Sequence, residues 1–294
     1  MNLSVRNVTK KYGEKEILKD ISYTFTNGIY GLLGVNGAGK TTFIRIMCTL
    51  IKPTSGIITF DDKDIFELNG QYRKILGYLP QDFGFYPQLS VYDYMTYIST
   101  LKGIGAKKAR KRIDFLLEKV NMFEKKNEKM GKLSGGMQRR VGIAQSLINN
   151  PDILILDEPT AGLDPSERIR FRNLISEFSK EKIVILSTHI VSDISQIADE
   201  ILLIKNGKLF MSGSVEKIIS NMNMNVYLCK VCEKEAELIK QNYIISGEKR
   251  INNVVQLKVV SNEPPVSNAV LEDANLEDAF LSYLGGDFDG KARN

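Results

Sequence analysis

The sequence has 294 residues, which is enough for one large domain and a smaller one. Its 40 lysines and arginines against 35 acidic residues give a net charge of +5, too mild to indicate a protein that binds polyanions. No apolar run approaches the roughly 18 residues of a membrane-spanning helix, and residues 1–6 do not resemble a signal peptide, so we expect a cytoplasmic protein. The three cysteines are too few and too unevenly spaced for a disulfide framework.

The first two predicted elements are strands over residues 3–9 and 17–25, because apolar and polar residues alternate in the second of them. The residues Lys10-Lys11-Tyr12-Gly13 are predicted to form the loop between these strands. An aromatic side chain on a short loop could stack on a nucleotide base. An ordinary turn tyrosine would give the same pattern, so the spacing alone leaves both interpretations of Tyr12 open.

Residues 34–41 read G-x-x-x-x-G-K-T, the pattern of a phosphate-binding loop. They lie between an apolar run of strand length, 29–33, and apolar residues at helical spacing from Phe43 to Ile51. Glycines let the backbone N–H groups turn toward phosphate oxygens, and the helix N-terminus adds partial positive charge. Lys40 can reach the terminal phosphates, and the Thr41 hydroxyl can ligate Mg²⁺. The predicted phosphate contacts are Asn36, Gly37, Ala38, Gly39, Lys40, Thr41 and Thr42.

Two further strands and two amphipathic helices follow this loop. The strands are predicted over 57–60 and 75–79, and Gln81 follows the second one, at the strand end where α/β sheets place their ligands. One helix begins at a Ser90 cap, and the next buries a face between Ala109 and Val120. The sequence Leu133-Ser134-Gly135-Gly136 then opens a third helix, which makes it a second candidate anion site.

Carboxylates and a histidine follow the next two predicted core strands. The apolar strand 153–156 ends in Asp157, which is placed to hold Mg²⁺, and Glu158, a candidate to polarise the attacking water. Asp164 can cap the next helix, with Pro165 at its first position. His189 follows the strand 183–186 and could reach a γ-phosphate, although a single histidine is more often structural.

The sequence after residue 213 shows no cluster of candidate catalytic residues. A hairpin is predicted over 201–211, and further strands over 226–231 and 254–260. The stretch between those two strands, around 233–240, is helical or irregular, and a short helix from Leu276 to Leu284 has Asn275 as a possible cap. Residues 285–294 are predicted to be a frayed tail. We interpret this region as a small accessory domain.

Taken together, the motifs resemble an ABC transporter ATP-binding subunit over roughly residues 1–215. The phosphate loop, Leu133–Gly136, Ile153–Glu158 and His189 occur in that family's order and spacing. Met137 replaces the glutamine that usually follows LSGG, with Gln138 next to it. This variant resembles an exporter-type branch whose members pair with separate membrane proteins. The resemblance implies the following roles: Tyr12 stacks on adenine, Gln81 (in the Q-loop) ligates Mg²⁺ and senses the membrane subunit, Glu158 is the catalytic glutamate, Asp164 is the D-loop aspartate and His189 is the switch histidine.

The fold expected from this resemblance is α/β. A P-loop NTPase core, with a mixed or parallel sheet flanked by helices, carries an antiparallel β subdomain and an inserted helical subdomain at about 84–145. Residues 216–294 form the small α+β accessory domain. Mg²⁺ is expected on Thr41, Gln81 and Asp157, and the catalytic group is expected to be Lys40, Gln81, Glu158 and His189.

The resemblance also implies how the subunit works. ATP bound to one chain is covered by Ser134, Gly135 and Gly136 of a second ATPase subunit, identical or a paralogue, so the dimer closes head to tail. Asp164 is a further expected nucleotide contact. A separate transmembrane permease, and no nucleic acid, is the expected further partner, which places the protein peripherally on the inner face of the cell membrane. An importer ATPase, a soluble ABC ATPase acting on ribosomes or DNA, and a non-hydrolysing regulatory subunit are the alternatives, and the intact Glu158 and His189 argue against the last.

Overall fold

A computed structural model of the chain describes residues 1–252 and 254–285. The chain divides into two compact units, Met1–Ser212 and Gly213–Asn294, and each has its own hydrophobic cluster. Within the described residues, no helix combines the length and the apolar character that crossing a membrane requires.

Up to residue 213 the strands are β1 (Leu3–Tyr12), β2 (Lys15–Phe25), β3 (Gly28–Leu33), β4 (Ser55–Phe60), β5 (Lys63–Asp64), β6 (Leu76–Leu79), β7 (Ile153–Asp157), β8 (Ile183–Thr188), β9 (Glu200–Lys205) and β10 (Lys208–Gly213). The helices are α1 (Lys40–Met47), α2 (Ile65–Leu68), α3 (Gly70–Ile75), α4 (Val91–Leu101), α5 (Ala106–Lys119), α6 (Gly135–Ser146), α7 (Pro165–Phe178) and α8 (Val191–Ile194). Single 3₁₀ turns lie at Phe123–Lys125 and Met130–Lys132.

The core of the first unit is a six-stranded sheet in the order β10-β9-β3-β8-β7-β6. The strands from β9 to β6 in this order are parallel to one another, and β7 and β8 are buried along their whole length. Parallel strands covered on both faces need continuous apolar runs, which is why the sequence predicts them well. Their carboxyl ends meet at one edge, so the segments that follow β3, β6, β7 and β8 converge there.

A second, antiparallel sheet has the order β2-β1-β4-β5 and confirms the predicted antiparallel subdomain. The predicted loop over residues 10–13 is wrong in its extent. β1 runs to Tyr12, which pairs with Lys15, and the turn between the strands is only Gly13-Glu14. Gly13 has a φ of 58°, which lets the chain reverse within two residues. Tyr12 therefore lies at a strand end rather than in a loop.

Helices α4, α5 and α6 pack on one another between β6 and β7 in the chain, which confirms an inserted helical region. As predicted, the Ser90 hydroxyl caps α4 by accepting a hydrogen bond from the Asp93 N–H at 3.0 Å. The buried face of α5 is Ala109, Ile113, Leu116 and Leu117. Helix α1 is shorter than predicted: it ends at Met47 because Thr49 adopts a φ of 56°, and Leu50 is exposed.

The second unit contains α9 (Val215–Ser220), β11 (Asn225–Val231), α10 (Glu233–Asn242), β12 (Ile244–Ile251), β13 (Val254–Ser261), β14 (Val270–Glu272) and α11 (Leu276–Gly285). Its antiparallel sheet has the order β12-β13-β11-β14, of which β12 and β14 were not predicted. As predicted, Asn275 caps α11, accepting hydrogen bonds from the N–H groups of Glu277 and Asp278. The predicted frayed tail, apart from Gly285, lies outside the described residues.

Candidate active site

The loop over residues 34–39 connects β3 to α1, which begins at Lys40. Gly37 and Gly39 have φ angles of 81° and 107°, which L side chains rarely adopt. A Cβ at Gly39 would also lie 3.1 Å from the Ile17 carbonyl oxygen and 2.7 Å from the Leu18 Cδ2, so a side chain there would be crowded as well as strained. The turn therefore depends on glycine, and it leads into a helix N-terminus, where unpaired N–H groups and the helix dipole favour an anion.

Lys40 is 7% exposed, and its ammonium donates hydrogen bonds to the carbonyls of Gly34 at 2.6 Å and Val35 at 3.2 Å. Burial lowers the pKa of Lys40, and the carboxylates of Glu158 and Asp157 act in the opposite direction. The loop's own carbonyls thus hold a buried cation beside the turn. The next two residues, Thr41 and Thr42, are half-buried in the first turn of α1.

Asp157 ends β7 and is 1% exposed. The Ser187 hydroxyl donates to its Oδ1, whereas its Oδ2 is buried and has no hydrogen-bond partner among the described residues. A buried carboxylate oxygen with free lone pairs suits a hard cation such as Mg²⁺, which prefers oxygen ligands. No group of three acidic, histidine or cysteine residues able to hold a metal occurs in the described chain. Mg²⁺ usually keeps several waters and binds through one or two carboxylates together with substrate phosphates.

Glu158 has a φ of 51°, a left-handed conformation that is uncommon for a residue with a long side chain. Its N–H donates to the Ser187 carbonyl at 3.0 Å, which fixes the backbone in this conformation. Its carboxylate Oε2 lies 3.0 Å from the Nδ1 of His189, whose side chain is 55% exposed. The structure therefore joins Glu158 and His189, 31 residues apart in sequence, in one hydrogen-bonded pair.

Ser134 caps α6, its hydroxyl accepting a hydrogen bond from the Met137 N–H at 3.3 Å. A Cβ at Gly136 would lie 2.9 Å from the Gly162 carbonyl oxygen, so the start of this helix lies directly against the loop after Glu158. Among the residues that the structure describes, no hydrogen bond joins Ser134–Gly136 to the phosphate loop. Within the described part of one chain, the two candidate anion sites are therefore not joined by a hydrogen bond.

Three further predicted residues lie on other elements of the first unit. Tyr12 is 50% exposed at the tip of a hairpin that reaches the phosphate loop through Leu18. Gln81 is exposed, and its carbonyl accepts a hydrogen bond from Arg139 at 2.9 Å. Asp164 occupies the position before α7, with a proline in the first turn as predicted, but its side chain makes no capping hydrogen bond.

Sequence reasoning missed Arg139, Ser187 and Asp193. The buried Asp193 accepts a hydrogen bond from the Thr160 hydroxyl and lies 3.3 Å from the Arg168 guanidinium, so it ties the loop after Glu158 and the start of α7 to α8, just after His189. A signal for Ser187 was available, because the apolar run of β8 gives way to polar residues at Ser187, which pairs with Asp157. Arg139 stands within Gln138-Arg139-Arg140, which looks like an ordinary solvated run.

Comparison with known proteins decides the family. Residues 18–161 match the family described as ABC transporter. The ABC transporter ATP-binding protein YxlF of Bacillus subtilis (strain 168), itself described as uncharacterised, is 34% identical over 244 residues, which cover 82% of this chain and 81% of the relative. This chain is an ABC transporter ATP-binding protein.

Two further similarities extend over most of this ATP-binding protein. Nod factor export ATP-binding protein I of Burkholderia orbicola (strain AU 1054) is 31% identical over 298 residues, covering 96% of this chain and 97% of the relative. A solved dimeric ATP-binding cassette in a post-hydrolysis state, bound to ADP and phosphate, is 28% identical with a TM-score of 0.66 and covers 72% of this chain and 98% of that one. The comparisons confirm the predicted fold class and assign ATP binding and hydrolysis to the chain.

Proposed function

We propose that this protein is the ATP-hydrolysing subunit of an ABC exporter, which closes head to tail with a second ATPase subunit on Mg²⁺-ATP and drives export through a separate transmembrane permease. The observation that carries the proposal is the group formed by Lys40, Asp157, Glu158 and His189 at one edge of the core sheet, in which Glu158 and His189 are 3.0 Å apart.

ATP binding is assigned to the phosphate loop and the β1–β2 hairpin. The backbone N–H groups of 36–39 and the Lys40 ammonium bind the phosphates, with Thr42 beside them in the first turn of α1. When phosphate enters, the Lys40 ammonium exchanges its contacts with the Gly34 and Val35 carbonyls for phosphate oxygens. The exposed ring of Tyr12 stacks on adenine.

Mg²⁺ fits the donor set at this edge. The unpartnered Oδ2 of Asp157, the Thr41 hydroxyl and the Gln81 side chain would hold the ion or its waters. When bound, it would neutralise charge on the β- and γ-phosphates.

Hydrolysis is assigned to Glu158 and His189. Glu158 accepts a proton from water as the water oxygen bonds to the γ-phosphorus, and the bond from that phosphorus to the β–γ bridging oxygen breaks, releasing ADP and phosphate. The hydrogen bond between His189 Nδ1 and Glu158 Oε2 orients the imidazole ring, and we assign its Nε2 to the γ-phosphate.

The second half of each site comes from another chain. We assign Ser134, Gly135, Gly136 and Asp164 to the nucleotide bound by the partner subunit, because within one chain Ser134–Gly136 make no hydrogen bond to the phosphate loop in the described residues. The dimeric form of the similar solved cassette supports this assignment. The second subunit is identical or a paralogue.

The permease is assigned to the aromatic surface that follows Gln81. Tyr86 and Tyr97 are 48% and 39% exposed, and their rings meet edge to face at 5.4 Å. Exposed aromatic side chains of this kind favour protein contact. Docking there would hold the protein on the inner face of the membrane. Export rather than import is supported by the similarity to Nod factor export ATP-binding protein I along nearly the whole chain.

The variant Glu158→Gln tests the proposal, because it keeps the side chain's size and removes the base. We expect phosphate release to fall at least about 100-fold while ATP and Mg²⁺ convert the chain to a stable dimer, measured by light scattering after size exclusion. Glu177→Gln is the matched control, since Glu177 is an exposed glutamate that pairs with Lys119 at the surface. Hydrolysis at the control's rate by Glu158→Gln would contradict the assignment of the base.

A further inference from the structure

Arg139 lies in the second turn of α6 and is 7% exposed. A guanidinium has five N–H donors in one plane. Each of the five reaches one backbone carbonyl: Nε donates to Pro159 at 3.3 Å, Nη1 to Pro80 and Gln81 at 2.9 Å each, and Nη2 to Glu158 at 2.6 Å and to Asp157.

The five acceptors lie in two separate segments of the chain, and four of them are in loops, while Asp157 is the last residue of β7. One loop follows β6 and carries Gln81, and the other follows β7 and carries Glu158. All five acceptors are neutral carbonyls, so this buried cation forms its hydrogen bonds with backbone dipoles. Burial lowers the pKa of Arg139, and the carboxylates of Asp157 and Glu158 oppose that shift. A buried cation is costly unless its hydrogen bonds are made, and here every donor has a partner.

The helix that carries Arg139 also begins at Ser134. Over five residues an α-helix rises about 7.5 Å, so Ser134 and Arg139 lie on one rigid segment. This segment contacts the chain around and after Glu158 at two places. Arg139 donates to the carbonyls of residues 157–159, and Gly136 lies against the Gly162 carbonyl. A cleft of about 600 Å³ opens beside these contacts, between Gln81 and the start of α6.

We propose that Arg139 is a positioning residue that locks the Gln81 and Glu158 loops to α6, so that engagement of Ser134 by the partner's nucleotide sets the position of this chain's Glu158. The inference rests on the proposed function of Glu158 and Ser134. Only a planar fork with five donors can span both loops, because lysine offers three donors from a single atom.

Arg140 provides a matched control on the same helix. Its guanidinium also donates to backbone carbonyls, those of Val120 at 3.3 Å and Asn121 at 3.0 Å, and it pairs with Glu167 at 3.5 Å. These contacts lead to the end of α5 and to α7 and not to the loops of Gln81 and Glu158. Arg140→Met therefore removes a similar guanidinium without releasing either loop.

The experiment compares Arg139→Met, Arg139→Lys and Arg140→Met in the full chain. We expect Arg139→Met to lower kcat at least about 10-fold. Its affinity for ADP, measured by titration calorimetry, should stay within about twofold of the wild-type value, because the phosphate loop is untouched. Arg139→Lys should fall between wild type and Arg139→Met. Arg140→Met should keep kcat within about twofold of wild type. Equal kcat losses at 139 and 140, or a fall in ADP affinity that matches the fall in kcat, would overturn the proposal.

A double-mutant cycle with Glu158→Gln separates positioning from a general structural role. If Arg139 acts through Glu158, Arg139→Met adds no further loss of single-turnover rate in the Glu158→Gln background. Losses that multiply would overturn the inference. If Arg139→Met does not fold, Arg139→Lys compared with Arg140→Lys decides on the same criteria. Full turnover by Glu158→Gln alone refutes the proposed function, whereas a normal kcat in the Arg139 variants refutes only this inference.

Discussion

Tyr12 is the side chain to which the adenine base is assigned, and the chain contains no tryptophan. Tyr12→Trp therefore places a single indole at the proposed base site. We expect ADP or ATP to stack on this indole and to quench its fluorescence. Stacking of a base on an aromatic side chain contributes about 1–3 kcal/mol. Quenching titrated against nucleotide concentration measures the affinity directly.

Tyr86→Trp is the control for this prediction, since Tyr86 is 48% exposed and Tyr12 is 50% exposed. Nucleotide should leave the Tyr86→Trp signal of the isolated chain unchanged. An equal response from both variants, or none from Tyr12→Trp, would remove Tyr12 from the base site.

Sequence patterns locate a candidate site residue in the fold well when it lies at the end of a core strand. Asp157, Glu158 and His189 are of this kind, because the strands before them are recognisable apolar runs whose ends must meet at one edge. Arg139 is of the opposite kind. Its acceptors include Gln81, 58 residues away, and they are backbone carbonyls, whose positions leave no trace in residue type. No local pattern distinguishes it from the half-buried Arg140 beside it.

At the scale of elements, the start of α6 depends on the absence of a side chain at Gly136. Gly136→Ala brings a Cβ to 2.9 Å from the Gly162 carbonyl oxygen, which belongs to the backbone and cannot rotate away. We expect the variant to push α6 away from the loop that contains Gly162 and to lower the free energy of unfolding by about 1–3 kcal/mol. Denaturant unfolding followed by circular dichroism measures this loss.

Gly135→Ala is the matched control one residue earlier in the same turn. A Cβ there meets no atom within 4 Å, so alanine adds only helix propensity, a gain of up to about 1 kcal/mol. The two variants should thus move stability in opposite directions. A loss at Gly135→Ala as large as that at Gly136→Ala would mean that contact with Gly162 is not the cause.

The elements that sequence reasoning missed are those with weak burial patterns. The strand β12 is nowhere fully buried and carries Glu248, Lys249 and Arg250 in succession, so it shows no alternation of apolar residues. β14 has three residues, all exposed. Both strands are held by pairing with β13 and β11, a tertiary contact that period-2 patterning cannot report. The end of α1 was also missed, because the residue with the positive φ there is Thr49 and not a glycine, which would have indicated the end of a helix.

At the scale of the whole molecule, the two units have separate hydrophobic clusters, one spanning Leu3 to Ile204 and the other Tyr227 to Val259. All the proposed nucleotide contacts lie in the first unit. A ligand that binds the native state stabilises it by about 2.7 kcal/mol at a concentration 100 times its Kd. For a unit of about 200 residues this raises the midpoint of thermal unfolding by about 5–10 °C. We therefore expect ADP to shift the unfolding of the first unit and to leave that of the second unit in place.

Two single-tryptophan variants make the transitions separately visible against a background without tryptophan. Phe60→Trp reports on the first unit, where Phe60 packs against the cluster, and Tyr227→Trp reports on the second, where Tyr227 is a cluster member. ADP should raise the midpoint seen by Phe60→Trp only, and adding Lys40→Ala should abolish that rise, because the buried ammonium then no longer meets the phosphates. One shared midpoint that moves as a whole would contradict this prediction, because nucleotide binding would then stabilise the two units as a single cooperative structure.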